Sequence, residues 1–191
     1  MFRRRRSARR STTERPVVPA RWTATVAECD RLLGEIGRVV AGLPDGPMRA
    51  RLGELRDGVA EGVEDAVRAA ARAGEVERLT ATMDLAGITD AFKRARRDAD
   101  AAAQRGDVPV DLAERVESFR RQHESANRLL NTIEETDRHL TALRTRLTEL
   151  VLTAAELSIS STADTLDAVE ARAGAVASEV NELRHAFDDL T

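Results

Sequence analysis

The stretch DLAERVESFRRQHESANRLLNTIEETDRHLTALRTRLTELVLTAAELS, residues 111–158, contains no proline and no glycine. Along it, Leu112, Val116, Phe119, His123, Ala126, Leu130 and Ile133 follow one another in steps of three and four. The series continues through Thr136, Leu140, Leu143, Leu147, Leu150, Ala154 and Leu157. That spacing is a heptad seam on one helix face. A single three-residue slip near Ile133 overwinds a supercoil locally. At 1.5 Å per residue the helix would be roughly 70 Å long. Glu117/Arg121, Glu124/Arg128 and Glu134/Arg138 stand at i,i+4 in the favourable order on its outer side. A seam of this length must be covered, so the expected fold is all-α: an elongated antiparallel helical bundle or coiled coil.

The composition of the 191 residues agrees. Ala, Glu, Lys, Leu and Arg make up about half of the chain, the signature of long helices. Five residues are Phe or Trp and none is Tyr, which argues against a β-sandwich or an ordinary α/β enzyme. One cysteine, Cys29, excludes an internal disulfide framework.

Working outward, the seam Trp22, Val26, Cys29, Leu33, Ile36, Val40 and Leu43 predicts a helix over 19–42, stopped by Leu43-Pro44-Asp45-Gly46-Pro47. Met48, Leu52, Leu55, Val59, Val63, Ala66 and Ala70 predict a second over 47–73, with Gly74 as its stop. Val76, Leu79 and Met83 suggest a short piece over 75–83. Ile88, Phe92, Ala95, Ala99 and Ala102 are out of phase with it and suggest another over 88–105, ended by Gly106-Asp107-Val108-Pro109. After Ser158–Thr162, a stripe of Leu166, Val169, Ala173, Val176, Val180, Leu183, Phe187 and Leu190 predicts a last helix over 163–190. Residues 19–191 thus read as one elongated domain.

Charge is unevenly distributed. Residues 1–21 hold eight Arg and one Glu, whereas the remaining 170 hold 22 basic and 32 acidic side chains. Residues 1–18, with Pro16 and no helical period, read as a disordered basic arm. Phe2, Arg3, Arg4, Arg5, Arg6, Arg9 and Arg10 are candidate contacts to an anionic membrane surface, which draws about 1 kcal/mol per nearby basic side chain. The same cluster can grip nucleic-acid phosphates without sequence preference. Lys93, Arg94, Arg96 and Arg97 form a second basic patch beside Phe92. The ratio of 29 Arg to one Lys suits a GC-rich genome, so arginine on a surface does not by itself imply a ligand.

Catalytic and metal signatures are weak. Glu182 and His185 match a Glu-x-x-His motif, but a di-iron bundle needs a second one and further carboxylates. His123-Glu124 opens like a zincin helix, yet the fifth residue is Asn127. Lys93 lies outside any phosphate loop, and Cys29 reads as a buried thiol on its seam. No catalytic residue, metal or cofactor is expected, and no small-molecule substrate is evident. A metal enzyme built on Glu182 and His185 ranks below the other readings.

In Ala/Arg-rich composition and helix layout the chain resembles the all-helical coiled-coil proteins of GC-rich actinobacteria, a resemblance that implies no activity. Phage-shock-type membrane coiled coils share a long helical hairpin, but their N-terminal segment is an amphipathic helix and residues 1–19 here are not. The expectation is a nonenzymatic scaffold or adaptor that self-associates or binds a helical partner. Its contact surface would come from the seam residues Leu130, Leu140, Leu143, Leu147, Leu150, Leu157, Leu166, Val176, Val180, Leu183 and Phe187. With no secretory h-region and no transmembrane span, it is expected in the cytoplasm, held at the inner membrane surface by its arm. The alternative is a nucleic-acid-associated protein using the arm and residues 93–97.

Overall fold

The computed structural model describes residues 15–159 and 163–188. Five helices account for nearly all of them: α1 (Ala20–Gly42), α2 (Pro47–Ala81), α3 (Leu85–Gln104), α4 (Val110–Ile159) and α5 (Ala163–Asp188). Among the described residues there is no strand. The all-α elongated bundle anticipated from the seams is the fold, and α4, at 50 residues, spans about 75 Å.

Cross-helix contacts set the directions. Trp22 at the start of α1 meets Asp137 of α4. His139, Arg146 and Glu149 of α4 meet Glu179, Ala175 and Arg172 of α5, so α5 runs antiparallel to α4. Arg51 of α2 meets Glu170 of α5, so these two run side by side in one direction, opposite to α1 and α4. Helices α1, α2, α5 and the C-terminal part of α4 form a four-helix bundle. Its core joins Trp22, Cys29 and Ile36 to Val63, Ala70, Leu140, Leu147, Leu157, Val176 and Leu183. Each fully buried leucine there contributes about 1.5–3 kcal/mol.

The first part of α4 extends past the start of α1. Its partner there is α3, whose substantial packing is on α4. Phe92 stacks on His123 with ring centroids 5.1 Å apart, and Ala95, Ala102 and Ala126 are buried in the seam. Helices α2 and α3 therefore lie end to end along α4, and the α3–α4 hairpin stands about 30 Å beyond the four-helix part. Asp84 makes the break between α2 and α3: its carboxylate accepts the Gly87 N–H at 2.8 Å and caps α3. Gly106, at φ 80°, provides the left-handed residue that ends the next turn.

Two expectations are corrected. Gly74 does not stop a helix: α2 runs unbroken through it to Ala81, replacing the separate pieces expected over 47–73 and 75–83. Gly74 is buried against Pro19, and its missing side chain serves close approach, not termination. Helix α3 begins at Leu85, three residues early, because Asp84 supplies its cap. Leu130 is 38% exposed, although its seam neighbours Ala126 and Ile133 are buried. It faces the groove at the α2–α3 break, beside Thr80 and Leu85, where neither helix covers it.

Candidate functional site

The seam leucines point into the chain's own bundle. Leu140, Leu143, Leu147, Leu150, Leu157, Val176, Val180 and Leu183 are all buried, and Leu166 is half-buried against the same core. Phe2, Arg3, Arg4, Arg5, Arg6, Arg9 and Arg10 lie outside the described residues, as does the Phe187 side chain. Among the described seam residues, Leu130 is the one that stays exposed.

The densest polar constellation lies between α4 and α5. Glu179 is 2% exposed, yet both its oxygens are engaged. His139 Nδ1 is 2.6 Å from Oε1, and Arg146 Nη2 is 2.9 Å from Oε2. Arg146 also donates to the Ala175 carbonyl at 3.0 Å. Glu182, on the same face of α5, approaches His139 at 3.9 Å from a 55% exposed position. His139, Glu179 and Glu182 bring three ligand atoms within 4.8 Å of one another, spacing a cation can bridge after modest side-chain rotation. Arg146 already supplies the balancing positive charge to Glu179. Glu179 with its two partners, His139 and Arg146, forms a satisfied buried polar network that holds α5 in register on α4.

Neither residue of the Glu182–His185 motif brings the other into a site. Glu182 turns to His139 on the neighbouring helix, and His185 is exposed. His123 stacks on Phe92 and contacts Asn127. Sequence reading missed the pairing of Glu179 with His139 and Arg146. A signal was present: each of the three stands one residue before a seam residue, Val180, Leu140 and Leu147.

A second polar knot ties the start of α1 and the end of α2 to the middle of α4. The indole N–H of Trp22 donates to Asp137 at 2.9 Å. Arg21 lies 4.9 Å from the Trp22 ring centroid and pairs with Glu77 at 2.9 Å. Such a stacked, ion-paired arginine fixes the entry of the first helix.

The second basic patch has a different character. Lys93, Arg94, Arg96 and Arg97 are all exposed on the outer face of α3. Lys93, Arg96 and Arg97 line a shallow depression with Asp100. None of the four makes an ion pair among the described residues, whereas Arg31, Arg51 and Arg120 are each clamped by carboxylates. Unpaired cations on a projecting hairpin create a field available to an external anion.

No family model, curated protein or solved structure matches this chain. No helix among the described residues is long and apolar enough to cross a membrane.

Proposed function

We propose that this chain is a nonenzymatic helical scaffold that settles on an anionic membrane surface and acts through contact with other proteins. The observation that carries the reading is the α3 patch: four cations, exposed and without ion pairs among the described residues, on a hairpin that stands clear of the four-helix part. Residues 3–10 add six arginines to the same electrostatic pull. Leu130, open beside Leu85 at the α2–α3 break, offers an apolar contact for a second copy or a helical partner.

Flotation with phosphatidylserine-containing and pure phosphatidylcholine vesicles tests this. The full chain is compared with two full-length variants, one with Arg3–Arg6, Arg9 and Arg10 changed to Gln, the other with Lys93, Arg94, Arg96 and Arg97 changed to Gln. Arg15 and Val18 stay intact because both contact the bundle. Anionic vesicles should carry the parent chain, each variant should bind more weakly, and salt should weaken binding as charges are screened. Equal flotation with both vesicle types, or none, sinks the membrane reading. Steeply salt-dependent DNA retention in its place favours the nucleic-acid alternative.

A further inference from the structure

Residues 15–19 precede α1 as an irregular segment, and their course is informative. Pro19 packs on Gly74. From there the chain turns back along the groove between α1 and α2. Val18 rests against the core, and Arg15 reaches two carboxylates on the two walls. Its guanidinium grips Asp30 of α1 through two bonds of 2.7 and 2.9 Å and lies 3.6 Å from Glu64 of α2. From the Pro19–Gly74 contact to the tip of the Arg15 side chain at Glu64, the segment covers about 15 Å along α2. Val17 faces outward, so the segment lies on the groove and is not threaded through it.

Ahead of Arg15, in the direction the chain is already travelling, lies a groove of about 830 Å³. Leu33 and Ala60 give it apolar wall, and four carboxylates border it: Asp57, Glu61, Glu64 and Asp65. Two arginines, Arg56 and Arg68, pair with Asp57 and Asp65. Glu61 has no ion pair among the described residues, and Glu64 meets only the distant edge of Arg15. The excess charge is therefore negative, and it adjoins Arg15, the first described residue.

We propose that the N-terminal arm binds this groove within the same chain, with Arg9 and Arg10 taking Glu61 and Asp57 as Arg15 takes Asp30 and Glu64. The lengths agree. Arg10 is five residues from Arg15, a reach of up to about 17 Å when extended. Asp57 lies two helical turns beyond Glu64, about 10 Å. The groove is thus an internal binding site for a basic, extended peptide. Because Arg9 and Arg10 also belong to the cluster offered to an anionic surface, the groove and such a surface compete for them.

The test is disulfide formation in the full-length chain with Thr12→Cys and Ala60→Cys, compared with Thr12→Cys and Thr141→Cys on the exposed face of α4. Native Cys29 is retained, being buried. No vesicle or nucleic acid is present, so the result is read apart from the membrane proposal. A monomeric disulfide should form faster with Ala60→Cys than with Thr141→Cys, and 1 M salt should slow it. Adding Glu61→Gln and Glu64→Gln, both on exposed positions, should slow it roughly fivefold, the effect of losing two surface pairs. Equal rates for the two cysteine pairs, disulfides only between chains, or indifference to the glutamate substitutions each overturn the proposal.

Discussion

Gly74 of α2 faces Pro19 so closely that a β-carbon at position 74 would overlap the proline ring. The contact seats the segment before α1 on the C-terminal part of α2. Gly74→Ala should therefore destabilise the protein by about 1–3 kcal/mol through overpacking, despite alanine's better helix propensity. Gly58→Ala, with open space around the new methyl group, should stabilise by about 0.5–1 kcal/mol. Urea unfolding followed by Trp22 fluorescence measures both, and stabilisation by Gly74→Ala would contradict the close packing.

The Glu179 network gives a second pair of contrasting variants. Arg146→Met keeps the aliphatic stem but leaves Glu179 with one partner. The loss should be about 3 kcal/mol, the lower end for breaking a buried pair, since the Arg146 side chain is 35% exposed. Glu182→Gln should change stability by less than about 0.5 kcal/mol, as an exposed group 3.9 Å from its partner. Thermal unfolding that ranks Glu182→Gln as the more damaging would refute the assignment.

Acid should weaken the fold. Hydrogen bonds from Arg31, Arg120 and Arg51 hold the Glu28, Glu117 and Glu170 carboxyls below their usual range. Their folded pKa values are depressed, so their contribution is present above the unfolded carboxylate range and is lost as pH falls through the folded values. The urea midpoint should drop between about pH 5 and pH 2, and Arg51→Gln should make that drop shallower. A midpoint constant across this window contradicts it.

Cys29 supplies a probe of α1. Burial pushes its thiol up to about 12, and the residue is almost wholly enclosed. At pH 8 a thiol reagent should react slowly with the native chain and rapidly in denaturing urea. Fast native labelling would place this face of α1 in solvent, against the packing described.

Periodicity alone carried much of the architecture. The steps of three and four from Leu112 to Leu157 gave α4 within one residue at each end, and the stripes through Trp22 and Val176 gave α1 and the buried face of α5. These features are local: each follows from which side chains recur on one face of a single helix. The out-of-phase stripes on either side of Asp84 marked the α2–α3 break for the same reason, although the capping carboxylate itself went unread. In α1 the buried position is Leu32, with Leu33 half-buried on the groove side, a distinction finer than a heptad count resolves.

The chain's own residues thus determined that it is helical, where most helices begin and end, and that a net positive segment precedes a net acidic body. Tertiary structure decided the rest. Whether Gly74 ends a helix depends on Pro19, 55 residues away. Whether Leu130 is covered depends on where two other helices meet. Whether Glu179 can be buried depends on His139 and Arg146 arriving opposite it. Each outcome is set by the register between helices distant in sequence, and register is fixed only when the whole core packs at once.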